Sequence, residues 1–428
     1  MRVAPVDRKR IQLLGCVSVA ALGMAMMPST ASAQGAVCGT SFGPFVLGIA
    51  AGTATSHDRT ACGNGAIAGA NGATAVGHDA EAWGSSSTAV GDNSLATKNF
   101  STALGVNSNA LGESSTAVGR NSTASGDFST AVGNFNTATG FDATAIGGFG
   151  NQALGDDSTA IGNQNIASKA RATAIGNQNT AGAESSVAIG DNAKANVNNG
   201  SGAIAIGALT TADNKNAIAM GTNATATGVS GIAVGDGAAA GPGANAIAIG
   251  TGAVAEGSVA IGAGAKAKDA GTAVGDGALA NVGKSASAVG QNAQATGEFS
   301  NAFGGGVGSA AKAVGNFSTA IGNAATSNAL GSVAVGNGLP TTADGQDSLA
   351  MMGANTTAAG LQSLALGKGA STSAADTVAI GTGATASNTS SAAFGKGAVA
   401  SGAQSTALGT TAAATGKFAN AIGGGIGS

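Results

Sequence analysis

Residues 87 to 147 read STAVGDNSLATKNFSTALGVNSNALGESSTAVGRNSTASGDFSTAVGNFNTATGFDATAIG. A small-apolar-Gly triplet closes at Gly91, Gly105, Gly119, Gly133 and Gly147, fourteen residues apart each time. A fixed short period marks a repeat architecture in which each unit buries its faces only by stacking on its neighbours. The same triplet recurs from Gly77 to Gly423, mostly at steps of fourteen, with irregular steps read as corner insertions and Gly304–Gly315–Gly322 read as containing a half unit. Beyond Pro44, the prolines fall in two irregular steps, Pro242 and Pro340, where a missing N–H interrupts no ladder.

Within one unit, Gly91 to Gly105, the first half is Asp92-Asn93-Ser94-Leu95-Ala96-Thr97 and the second is Ser101-Thr102-Ala103-Leu104-Gly105. Each half is long enough for one short strand, and Gly or Asn stands where corners need a positive φ. Two short strands and two corners describe one flattened coil. The fold class is therefore all-β: a parallel β-roll or β-solenoid of 14-residue coils. Helix is excluded, since a Gly in every unit would cost ~1 kcal/mol each time. About 25 coils at ~4.8 Å would make a rod of roughly 120 Å.

Side chains alternate across a strand. Ser101 and Ala103 share one face of the second strand, and Ser94 and Ala96 share one face of the first. Faces made only of Ala and Ser can approach closely, which assigns them to a narrow coil interior. The bulky column then points outward: Val76, Val90, Leu104, Val118, Val132, Ile146, Ile161, Ile175, Ile189 and Ile206. The column beside it is Thr in early coils and becomes Val187, Ile204, Ile218 and Ile232 later. So long an apolar face exceeds what a soluble monomer exposes, so it is expected to be an interface between chains. The outer face of the first strand, with Asn93, Asn107, Asn121, Thr123 and Thr137, is expected to meet solvent.

The remaining composition fits this reading. Of 428 residues, 74 are Gly, 9% are charged and 3% aromatic, which in an aperiodic chain would suggest disorder; the periodic placement argues against that. Net charge is −3 and basic residues are scattered, so no nucleic-acid or membrane-surface patch is expected. Arg8-Lys9-Arg10, the apolar run Ile11 to Met27 and Ala31-Ser32-Ala33 read as a secretory signal peptide over residues 1–33, cleaved after Ala33, which would discard Cys16 and leave no membrane-crossing helix. Residues 34–65 read as an N-terminal cap outside the repeats of residues 66–428. Cys38 and Cys62 in that cap are a candidate disulfide in an oxidising compartment; free or intermolecular thiols are the alternative.

The unit Asn107-Ser108-Asn109-Ala110-Leu111-Gly112-Glu113-Ser114-Ser115-Thr116-Ala117-Val118-Gly119 resembles the head repeat of trimeric autotransporter adhesins, the YadA-like heads. SVAIG at 186–190 and 258–262 looks like the same family's inner strand. The resemblance implies a left-handed parallel β-roll and a homotrimer with its apolar faces toward the axis. It also implies a cell-surface or outer-membrane adhesin, with extracellular matrix proteins or abiotic surfaces as partners. It further implies a stalk and barrel anchor, for which no heptad run appears before Ser428. A head fragment, a truncated frame and a secreted head all stay open.

No catalytic, cofactor or metal site is expected. His57 and His78 lack ligand spacing, and Asp236 and Asp276 are too isolated for a calcium β-roll. The glycines at 304–308 precede no Lys-Ser/Thr. Trp83 and the phenylalanines at 100, 128, 135, 141 and 149 are read as corner packing or as a contact surface. Two further classes remain: an ice-binding solenoid using the Thr88, Thr102, Thr116 column, and a purely structural fibre.

Overall fold

The computed structural model describes residues 36–38, 53–54, 58–195, 201–280, 284–336, 338–352 and 356–424. These residues carry short strands and no helix, in two units, Met1–Gly150 and Asn151–Ser428. Most of the signal and cap expectations lie outside the described residues.

In the first unit every strand pairs in parallel with the strand one coil away. Thr102, Ala103 and Leu104 face Thr88, Ala89 and Val90 on one side and Thr116, Ala117 and Val118 on the other. The Thr102 N–H donates to the Ser115 carbonyl of the next coil, and the Gly105 N–H donates back to the Val90 carbonyl. The first-half strands are shorter, Leu95–Ala96 stacking on Asn109–Ala110 and that pair on Thr123–Ala124. In these second-half strands Thr stacks on Thr, Ala on Ala and an aliphatic residue on an aliphatic one, whereas in the first-half strands only the alanine repeats from coil to coil. The second unit repeats the plan, with Thr159-Ala160-Ile161 against Thr173-Ala174-Ile175 and Ile204-Ala205-Ile206 against Ile218-Ala219-Met220.

The interior is the small-residue core that the alternation predicts. Ala89, Ala103 and Ala117 from one sheet and Ala96, Ala110 and Ala124 from the other are fully buried. Ser101 and Ser108 are fully buried with them, and each hydroxyl donates back to a corner carbonyl three residues earlier, Lys98 at 2.6 Å and Gly105 at 3.0 Å. A buried hydroxyl needs such a partner, and Ser is short enough to find it within its own corner.

The corners fix the period. Gly105 sits at φ 134°, and a Cβ there would lie 2.5 Å from the Gly119 carbonyl oxygen of the next coil. Asn93, Asn107 and Asn121, expected on the first strand's outer face, instead form the left-handed corner before it, at φ 53–54°. Asparagine tolerates that conformation, and its side chain adds a bond between coils: Asn93 Nδ2 donates to Asn107 Oδ1 at 2.8 Å.

Three further features depart from the expectations. Gly315 is no marker: it lies in the second corner, after the strand Lys312–Ala313, so Gly304 to Gly322 is one enlarged coil rather than a unit and a half. Cys62 is not outside the repeats: Thr60-Ala61-Cys62 stacks in register on Thr74-Ala75-Val76, so the stack starts earlier than residue 66. The interior also holds more than Ala and Ser, because Asn136, Asn151, Asn165 and Asn179 are fully buried there. Coils with these asparagines have longer second strands, such as Thr159–Asn163 and Thr173–Asn177 against Thr116–Val118. Beside them, the asparagine side-chain amides donate to the carbonyls of Gly176 and Gly190.

Candidate interaction face of the roll

The outward column is continuous within each unit. In the first, Val76, Val90, Leu104, Val118, Val132 and Ile146 stack in register, each on the next. In the second, Ile161, Ile175, Ile189, Ile206 and Met220 do the same. These side chains are half-buried against their own neighbours in the column, and Ile146 and Met220 are exposed. The threonine column runs parallel to it on the same face: Thr88, Thr102, Thr116 and Thr130. In the second unit that column becomes Val187, Ile204, Ile218 and Ile232, which makes both outer rows apolar. The backbone ladder holds these rows in register from coil to coil.

Cys62 stands on Val76 at the foot of the outer column, and Cys38 is its in-register neighbour on the strand before. Parallel neighbours in register are ~4.8 Å apart at Cα, inside the range that a disulfide spans. The sequence signal for this placement was present: Thr60-Ala61-Cys62-Gly63 is the repeat triplet with Cys in the Val position.

The polar candidates have structural partners. His78 Nδ1 lies 3.0 Å from Asp92 Oδ1 and 3.3 Å from Asp79 Oδ2, all on the surface. Asp276 Oδ1 accepts the Ala263 N–H of the neighbouring coil at 2.8 Å. His57 is outside the described residues. Among the described residues no group of three His, Cys, Asp or Glu side chains is placed to hold a metal ion, and no helix is long and apolar enough to cross a membrane, which says nothing of a β-barrel.

The aromatics occupy two kinds of place. Trp83 follows the strand Glu81–Ala82, lies over Gly69 and donates from Nε1 to Glu81 Oε2 at 2.9 Å, so it belongs to the first strand's outer face rather than to a corner. Phe128, Phe135 and Phe141 are at corners and Phe149 ends the strand Thr144–Phe149; Phe128 meets Phe141 at 5.4 Å, and Phe135 meets Phe149 at 5.2 Å with Arg120 over the Phe135 ring. Corner packing accounts for only part of them, because all four remain substantially exposed.

Comparison with known families bears directly on this coil geometry. Tandem matches to the YadA head domain repeat tile residues 68–136, 138–265, 282–338, 343–370, 373–398 and 400–425. The chain belongs to the YadA head-repeat family. No curated protein gives a match. YadA head repeats are the mark of the trimeric autotransporter adhesin type, and in this YadA-like head the matched segments take in most of the described coils. Family and fold together are those of adhesive and structural proteins rather than of enzymes.

Proposed function

We propose that this chain is an exported adhesin head, and that three copies assemble side by side through the Val/Ile face into a rigid fibre that attaches a cell to matrix proteins, abiotic surfaces or other cells. One observation carries the reading: an in-register apolar column on the outside of the coils, half-buried to exposed along its length, Val76 through Ile146 in one unit and Ile161 through Met220 in the other. Family membership supports assembly as a homotrimer. The Thr88, Thr102, Thr116 column shares its face with Val and Leu, which favours burial between chains over binding ice. The basic and apolar leader of residues 1–33 supports export to the cell surface.

The experiment is sedimentation of the purified chain with Val118→Asp and Val132→Asp, beside Asn121→Ser at a corner. Placing a carboxylate in a dry interface costs more than about 3 kcal/mol for each chain. The Asp variants are expected as monomers and the corner variant as a trimer. A trimeric Val132→Asp protein would remove this face from the assembly. Attachment is tested separately, by comparing surface binding of cells that display the repeats with cells from which they are deleted. Undiminished binding would leave a structural fibre in place of an adhesin.

A further inference from the structure

Along one corner of the first unit, residues that usually suit a left-handed backbone give way to exposed aromatic rings. Phe100 (φ 59°), Ser114 (φ 53°) and Phe128 (φ 61°) occupy the same corner position in three successive coils, linked by the Phe100, Ser114 and Phe128 N–H groups donating to the carbonyls of Ser85, Asn99 and Glu113. Phe100 is 61% and Phe128 52% exposed, so neither ring serves the core. With two coil steps between them, their backbones are about 9.6 Å apart, and the short Ser114 leaves a notch between the rings.

The notch is acidic. Glu113 and Asp127 are exposed on the adjoining corner position, and Asp127 Oδ1 accepts the Glu113 N–H at 2.8 Å, which points the aspartate along the corner and leaves its second oxygen unused by that bond. Lys98, two residues before Phe100, is the one cation in these three corner turns, against the two carboxylates. Phe141 meets Phe128 edge-on and closes the upper end. A related corner occurs in the second unit, where Glu298 precedes Phe299 and its N–H donates to Asn316 Oδ1, but there Phe299 stacks directly on Phe317 of the next coil at 5.2 Å and asparagine stands in place of the second carboxylate. Aromatic faces and carboxylates side by side are the two groups that a guanidinium satisfies at once, by stacking and by charge-assisted hydrogen bonds.

We propose that the corner bearing Phe100, Glu113, Asp127 and Phe128 is a docking site for arginine side chains of an extended, basic polypeptide belonging to a partner protein. The extended form suits the site, because a strand running along the corner presents alternate side chains every ~6.6 Å toward it. None of these four residues belongs to the Val/Ile column, although their corner leads into the strand Thr130–Asn134 that carries part of it, so the proposal does not rest on trimer assembly.

The test is fluorescence anisotropy of the full chain with a short labelled peptide of alternating arginine and serine. Saturable binding is expected, together with a loss of about tenfold in affinity for Phe128→Ser and for the pair Glu113→Gln with Asp127→Asn. Serine already occupies this corner position at Ser114, and asparagine retains the Oδ1 acceptor for Glu113, so these variants are expected to fold; their melting temperatures are read alongside. Absence of saturable binding overturns the proposal. So does binding that responds to the carboxylates but not to Phe128, which would be diffuse charge attraction. Sedimentation of the same samples distinguishes the remaining occupant: a Phe128→Ser chain that falls from trimer to monomer would make the corner a contact between copies and overturn the proposal, leaving the Val/Ile reading to its own Asp variants.

Discussion

Inside the second unit, the Asn165 side-chain amide donates to the side-chain oxygen of Asn151, 3.0 Å away in the coil before, and Asn179 donates to Asn165 at 2.9 Å. Asn165 Nδ2 also reaches the carbonyls of Ile161 and Gly176, at 2.9 and 2.6 Å, and its Oδ1 accepts the Asn179 backbone N–H. A dry interior tolerates this column only because every amide in it is used, and the use ties three coils into one network.

Asn165→Ala is therefore expected to cost more than the loss of one hydrogen bond. It leaves the Asn151 oxygen only the backbone N–H of residue 165, removes the side-chain donor to the Ile161 and Gly176 carbonyls and takes away the acceptor of the Asn179 N–H and amide, a penalty of about 2–4 kcal/mol. Hydrogen exchange of the amides in Thr159–Asn163 and Thr173–Asn177 should accelerate, since opening in a repeat stack is local. Unchanged exchange in both strands would mean that the column fills space without holding the coils.

Gly105 and Gly148 provide a matched pair of the same substitution. An alanine Cβ at Gly105 would meet the Gly119 carbonyl oxygen at 2.5 Å in a φ 134° backbone, whereas at Gly148 nothing lies within 4 Å. Gly105→Ala should separate two coils, at a cost above about 3 kcal/mol, and Gly148→Ala should stay within ~0.5 kcal/mol. Urea denaturation of the two variants measures the contrast, and equal midpoints would show that the stack yields easily at this corner.

What the sequence reveals and conceals here has one cause. The coil period and the two-residue alternation are both written in the order of residues, so Ala103 inside and Leu104 outside are readable from composition by position. Phase within the corner is less readable. Asn121 follows its marker glycine by two residues and forms the turn, while Asn165 follows by three and enters the core, a difference of one position in the same residue type. The substitution of Asn for Ser in the interior column was visible in the string, but its consequence, a longer neighbouring strand, belongs to the three-dimensional ladder. Cys62 was concealed differently, by a drift from TAVG to TACG that hid one more coil.

The outer face changes character along the chain, and that gives a prediction about assembly. Thr116 and Thr130 flank Val118 and Val132 in the first unit, where Ile204 and Ile218 hold the equivalent row in the second. If the face is buried between chains, Thr116→Val with Thr130→Val should raise the unfolding midpoint of the trimer, by about 1 kcal/mol per chain for two desolvated hydroxyls removed. The gain should vanish in the Val132→Asp background. A gain that persists there would be an intrachain effect of strand propensity alone.

Phe100 tests whether the exposed rings cost stability. A bulky side chain at φ 59° carries a left-handed penalty of ~1 kcal/mol that asparagine largely escapes, and its ring, 61% exposed, recovers little by burial. Phe100→Asn should therefore leave the thermal midpoint unchanged or raise it, with Asn93 and Asn107 as precedents for asparagine in a left-handed corner. Phe135→Asn provides the contrast, since that ring packs on Phe149 beneath the Arg120 guanidinium and its removal gives up both contacts. A lower midpoint for Phe100→Asn than for Phe135→Asn, by differential scanning calorimetry, would show that Phe100 supports the roll after all and that its exposure is incidental to binding.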